Sequence, residues 1–145
     1  MECKIEPMIL AHVSAIEDSL ANQFDDFWNV TTLKQELQNP NAKVFVALLQ
    51  NEVVGFASIW KAVDEYHVTN IVVRKDLRQN RIGSQLLETL IEVAKSEHSP
   101  LLTLEVNKNN IPAQKLYQKY GFKDVGLRKK YYHNTEDALI MTLYF

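Results

Sequence analysis

Residues 77–87 read LRQNRIGSQLL and follow directly on the apolar run HVTNIVV at 67–73. A strand giving way to a helix through such a loop is suited to binding an anion. The first four N–H groups of a helix have no partner within it, and the aligned peptide dipoles add partial positive charge there. Gly83 allows close approach of a ligand to the backbone, and Arg78 and Arg81 can give charge-assisted hydrogen bonds to phosphate oxygens. Arg74 and Lys75 add further positive charge at the same helix mouth. The stretch lacks the lysine and spacing of the Walker phosphate loop and the three glycines of the dinucleotide fingerprint, which disfavours both classes. The competing reading is a solvated loop with a glycine where the helix starts.

The elements that must position this loop follow from periodicity. Cys3 to Met8 alternates as a short edge strand. Ile9, Val13, Ile16 and Leu20 then recur at helical spacing through MILAHVSAIEDSLANQF. TTLKQELQ (31–38) predicts a second helix, capped by Thr31 or Thr32 and stopped at Asn39-Pro40. AKVFVALLQ and VVGFASIWKAV form a hairpin across Gln50-Asn51-Glu52, and HVTNIVV adds a strand. From Ile82 the apolar stripe Ile82, Leu86, Leu90 and Val93 predicts an amphipathic helix that ends before Ser99-Pro100. LLTLEV (101–106) is a nearly continuous apolar strand of the kind covered on both faces. NNIPAQKLYQKYGF predicts a helix with Asn110 near its cap, Pro112 in its first turn and Gly121 past its end. Two strands, around FKDVGLRKKYY and EDALIMTLYF, close the chain. The expectation is a single α+β domain over residues 1–145, with a mixed, mostly antiparallel sheet of six to seven strands and helices on both faces.

Composition limits the functions available. The chain has 145 residues, 46% of them hydrophobic and 23% charged, enough for one core without disulfides or metals. A formal net charge of -2 argues against wide neutralisation of a nucleic acid, so any bound nucleotide is expected to be small. Cys3 is the single cysteine, and MECKIEPMIL has no long apolar segment, so a cytoplasmic protein away from membranes is expected. The four histidines have no ligand-like spacing, and no metal is expected.

The loop resembles the coenzyme A loop of the GNAT superfamily of N-acetyltransferases, whose pattern is Arg or Gln, two residues, Gly, one residue, then Gly or Ala. Arg78 and Gly83 match it, and Arg81 stands at the first glycine. The order of elements resembles that superfamily from end to end. TNIVV, LLTLEV followed by Asn110, LYQKYGF and RKKYYHNTEDALIMTL are similar to the ribosomal-protein-alanine N-acetyltransferases, with Asn107 where an arginine is usual. The resemblance implies acetyl coenzyme A as cosubstrate and the N-terminal amine of a protein, the alanine terminus of a small-subunit ribosomal protein, as acceptor. It implies a monomer or weak homodimer. Two alternatives stand beside it: a small-amine acceptor such as a polyamine or aminoglycoside, or a non-catalytic module that binds coenzyme A.

Acetyl transfer from a thioester to an amine needs a deprotonated amine, a polarised carbonyl and a proton for the thiolate. Leu102, Leu104 and Val106 share one face of their strand, leaving Glu105 on the other as the candidate base, partly desolvated. Tyr117 is the candidate acid, although with Leu116 and Tyr120 it also reads as core packing. By resemblance, main-chain N–H groups at Ile71 and Val73 polarise the carbonyl, and cofactor contacts also come from Val72, Gln79, Asn80, Ile82 and Ser84. Asn110 either contacts the cofactor arm or caps its helix. WNVTTLKQEL fits the family's substrate-side helix and brings in Trp28. The pair Tyr131 and Tyr132, readable as hairpin packing, lines the peptide groove by the same resemblance.

Overall fold

The computed structural model describes residues 2–24, 29–132 and 136–145, with the main chain alone for 130–132. The elements run β1 (Lys4–Pro7), α1 (Leu10–Ala15), α2 (Leu20–Gln23), α3 (Val30–Gln38), β2 (Ala42–Leu49), β3 (Glu52–Ala62) and β4 (Glu65–Val73). A short 3-10 turn at Lys75–Leu77 leads to α4 (Ile82–Ser96), β5 (Leu101–Asn107), α5 (Ile111–Lys119), β6 (Lys123–Tyr132) and β7 (Glu136–Tyr144). Seven strands form one sheet in the order β1-β2-β3-β4-β5-β7-β6. Every pairing is antiparallel except β4 with β5. The architecture is the expected mostly antiparallel GNAT-like sheet.

Two apolar clusters cover the two faces. Ile82, Leu86, Leu87 and Leu90 of α4 pack with Leu102, Leu104 and Val106 of β5, and Leu116 and Tyr117 of α5 close over the same cluster. On the opposite face Val13, Leu20 and Leu33 from α1, α2 and α3 pack with Phe56 and Val72.

The hairpin between β2 and β3 turns at Gln50 and Asn51, both left-handed with φ of 52° and 66°. That is the two-residue geometry whose twist matches the flanking strands. β5 alternates buried and half-buried residues, so only its α4 face is fully covered, and Glu105 lies on the other. Continuous burial on both faces, as read from LLTLEV, does not occur.

The first helical stretch is broken. After Ala15 the chain turns, and the Ser19 N–H and hydroxyl both reach the Ile16 carbonyl, at 3.1 and 3.3 Å. A serine bonding locally to the backbone competes with the helix ladder. Val13, Ile16 and Leu20 of the expected stripe are nevertheless buried, as is Phe24, whereas Ile9 stands at the helix cap and is exposed. α3 begins at Val30, and its cap is Asn29 rather than Thr31 or Thr32. The Asn29 side chain accepts from the Thr32 N–H at 2.8 Å and from the Thr32 hydroxyl at 3.0 Å.

Gly55 is the tightest point between sheet and α4. A Cβ there would lie 2.9 Å from the Val72 carbonyl oxygen and 3.2 Å from Leu86 Cδ1. The backbone oxygen belongs to the paired strand and cannot swing aside. Gly55→Ala is therefore expected to lower stability by about 1–3 kcal/mol, read as a shift in the denaturant midpoint at unchanged slope.

Candidate active site

The site begins where two strands part. β4 and β5 pair only at Tyr66↔Leu102 and His67↔Thr103. Beyond these pairs, β4 remains bound to β3 as far as Val73, and β5 to β7 as far as Asn107. A bulge contributes: Asn70 pairs with Ser58 and Val68 with Ile59, so Thr69 is an extra residue in β4. The Arg74 N–H donates to the Val54 carbonyl at 2.8 Å. Main-chain polar groups alternate along an antiparallel strand, so those of Ile71 and Val73 point away from β3 into the gap beside β5.

The gap opens into a cleft of about 710 Å³. Its walls include Ile71, Val73 and Leu77 on one side and the start of α5, with Asn110, Pro112 and Ala113, on the other. Leu116 and Tyr117 form the part nearest the sheet core. The N-terminal ends of α4 and α5 thus both meet this cleft, and their dipoles add there.

The loop into α4 is shaped to receive an anion. Gln79 and Arg81 are both left-handed, each with φ of 67°, and backbone turned this way presents successive N–H groups to a concavity. Arg81 is the helix cap residue but makes no side-chain cap bond, leaving the first N–H groups of α4 to other partners. Ile82 and Ser84 bury their side chains, so they offer the cleft mainly backbone. Arg78, Gln79, Arg81 and Gly83 line it as read from the sequence.

The cations at this mouth divide into two groups. Arg74 is held by Asp76, with hydrogen bonds of 2.7 and 3.2 Å, and lies 3.6 Å from Glu52. The hydrogen bond that Arg74 donates to Asp76 raises the Arg74 pKa above its ordinary value, and the same contact lowers that of Asp76. This pair braces the turn. Arg78 and Arg81 face the cleft, and the exposed Arg81 guanidinium is also 4.0 Å from Glu88, an exposed pair of small energetic weight.

Two residues expected as cofactor contacts turn their side chains elsewhere. The Val72 side chain is buried in the apolar cluster on the opposite sheet face. Asn80 does not line the cleft: its side chain donates to the carbonyls of Leu77 and Arg78, at 3.0 and 3.1 Å, and holds the loop. Asn110 caps α5, accepting from the Ala113 N–H at 3.2 Å, and also borders the cleft. Tyr117 lines the cleft while its ring packs 5.7 Å from that of Phe122.

Glu105 is on the far sheet face from the α4 cluster, its side chain 31% exposed. The Arg128 guanidinium reaches both its carboxylate oxygens, at 3.2 and 3.3 Å. Tyr131 and Tyr132 lie in β6, with side chains outside the described residues, as is all of Trp28. Asn107 binds Glu136 and caps the following turn by accepting from the Asn109 N–H at 2.8 Å. The sequence reading missed Leu77, Pro112, Ala113 and Leu116 as cleft residues, since apolar periodicity alone reads them as core. It also missed a polar group on the Glu105 face: Glu36, Ser58, Thr69 and Asn70. Asn70, alone and polar within the run HVTNIVV, was the available signal.

Three comparisons bear on this arrangement. The acetyltransferase (GNAT) family model matches residues 13–122. A protein of Bacillus subtilis (strain 168), named provisionally as a ribosomal protein bS18-alanine N-acetyltransferase, is 37% identical over 132 residues, covering 90% of this chain and 85% of the relative. The crystal structure of the Escherichia coli ribosomal-protein-S18-alanine N-acetyltransferase superposes with a TM-score of 0.87 at 27% identity, covering 99% of this chain and 94% of the other. A provisional streptothricin acetyltransferase of Bacillus anthracis str. Ames, solved with acetyl coenzyme A, gives 0.69 at 30% identity over 77% of this chain and 67% of the other.

Gly83 connects the protein's own packing with ligand space. A Cβ there would meet only Val73 Cγ2 at 3.8 Å, an ordinary contact, so nothing in the protein requires glycine in this helical turn. Gly83→Ala is expected to stabilise the free protein by about 0.5–1 kcal/mol, seen in thermal melts. The same change should weaken acetyl coenzyme A binding in calorimetry, because the added methyl enters the cleft.

Proposed function

The chain belongs to the GNAT acetyltransferase family, and on that premise we propose that it transfers an acetyl group from acetyl coenzyme A to the N-terminal α-amine of a protein. The acceptor is the alanine terminus of a small-subunit ribosomal protein. The observation that carries this reading is the cleft between the N-terminal ends of α4 and α5, opening onto the parted ends of β4 and β5. Relatives named for this activity support the choice of acceptor.

The residues present suit the cosubstrate. The left-handed backbone at Gln79 and Arg81, the open first turn of α4, and the side chains of Arg78 and Arg81 hold the diphosphate. Val73, Leu77 and Leu116 flank the arm that reaches toward the sheet. Bound acetyl coenzyme A supplies a thioester whose transfer to an amine releases a thiolate.

The protein's part in the chemistry has three components. Glu105 accepts the amine proton through a water, leaving a lone pair free to attack the carbonyl carbon. An α-amine has an ordinary pKa of about 7.7–8.0, so a modest base is enough near neutral pH. The main-chain N–H groups of Ile71 and Val73 stabilise the negative oxygen that forms, a contribution of about 3–4 kcal/mol for one well-placed donor. Tyr117 then gives its phenolic proton to the departing sulfur.

An acceptor panel of N-terminal peptides, polyamines and lysine peptides, read by mass shift, tests the assignment; acetylation of lysine or polyamine with peptide termini untouched would refute it. Tyr117→Phe should lower kcat by about 10²-fold or more while the Kd for acetyl coenzyme A stays close to wild type. A tyrosine that only packed would leave turnover nearly intact. Glu105→Gln should lose about 10²-fold at neutral pH, and that loss should shrink above pH 8, where the amine deprotonates unaided. A pH–rate profile of both forms checks the convergence.

A further inference from the structure

Asn70 is only 9% exposed, and both polar atoms of its side chain, Oδ1 and Nδ2, are buried without a hydrogen-bond partner. Among the described residues no other buried side-chain polar atom stands so. Burial of an unsatisfied amide opposes folding, so its retention calls for a reason.

The surroundings explain why no neighbour satisfies it. Asn70 pairs across the sheet with Ser58 and follows the bulged Thr69. The Ser58 and Thr69 hydroxyls lie against each other, and each can donate to the Glu36 carboxylate, at 3.1 and 3.2 Å. Both hydroxyl protons are turned to that carboxylate, so neither is left to donate to the Asn70 Oδ1. Asn70 shares its sheet face with Val72, which packs on the α1–α3 side, and Glu105 is on that same face. Asn70 also directly precedes Ile71, whose main chain turns into the gap between β4 and β5. Thr69, next to it, is exposed.

An occupant that satisfied both atoms would have to bring a donor and an acceptor together. An extended peptide residue presents its N–H and C=O on one side in that arrangement. A polyamine offers donors only, and a carboxylate acceptors only. We infer that Asn70 binds the main chain of the acceptor peptide near its N-terminus, completing there the two hydrogen bonds it lacks. This rests on the α-amine reading above and narrows it: what is recognised beside the gap is peptide backbone.

The test compares wild type with Asn70→Ala, and with Asn70→Leu as a second variant that refills the volume, using an alanine-terminated peptide acceptor. The expected result is a fall in kcat/KM for the peptide of about 10- to 100-fold, carried mainly by KM, with the acetyl coenzyme A Kd within about twofold of wild type. A peptide kcat/KM within about twofold of wild type overturns the inference, as does a parallel loss of acetyl coenzyme A binding, which marks a structural role. Wild-type protein that acetylates no peptide terminus refutes the α-amine reading itself, and that control separates the two failures.

Discussion

Two neighbouring strands that cannot stay together govern this molecule. β4 is committed to β3 along its whole length by an antiparallel ladder, and β5 is committed in the same way to β7. Between them only two parallel pairs form. A parted pair inside a sheet leaves main-chain donors and acceptors unmet, which a folded protein avoids unless water or a ligand takes them. Here the opening lies at the head of a cleft bordered by two helix N-termini, so the unmet groups face the space a ligand would fill. The bulge at Thr69 helps by changing the course of β4 before the gap.

The same opening separates two chemistries by sheet face. Tyr117 and the loop into α4 are on the side of α4 and α5, whereas Glu105 and the Asn70 group are on the side of α1 to α3. A thioester entering from one side and an amine from the other would meet through the gap without competing for space. Such an arrangement fixes their relative orientation with rigid strands rather than loops, and orientation is one of the larger sources of rate enhancement available to an enzyme.

Much of this was legible in the residues because it depends on local pattern. The stripe Ile82, Leu86, Leu90, the alternation of LLTLEV and the Asn110-Pro112-Gly121 punctuation of α5 each have a direct local cause, and each element formed where the pattern put it. The broken first helix was illegible because Val13, Ile16, Leu20 and Phe24 are buried in either backbone; periodicity reports the buried face and not the hydrogen bonds of Ser19. The Val72 side chain turns away from the cleft because three consecutive strand residues cannot share a face, and the bulge decides which two do. The side-chain bonds of Asn80 to the Leu77 and Arg78 carbonyls were illegible because they depend on a turn that no spacing announces.

Arg81 shows how the loop combines local strain with function. Left-handed backbone costs a residue with a Cβ about 1–2 kcal/mol, and both Gln79 and Arg81 adopt it two positions apart. Glycine would relieve that strain at either position. The protein uses residues with side chains there instead, and both border the cleft. With φ near 67° the backbone already presents its N–H groups to an anion, so the side chain is free to add charge rather than to shape the turn. Arg81 in the glycine position of the pattern therefore keeps the geometry glycine would give and places a cation at the cleft, at the expense of a modest conformational strain.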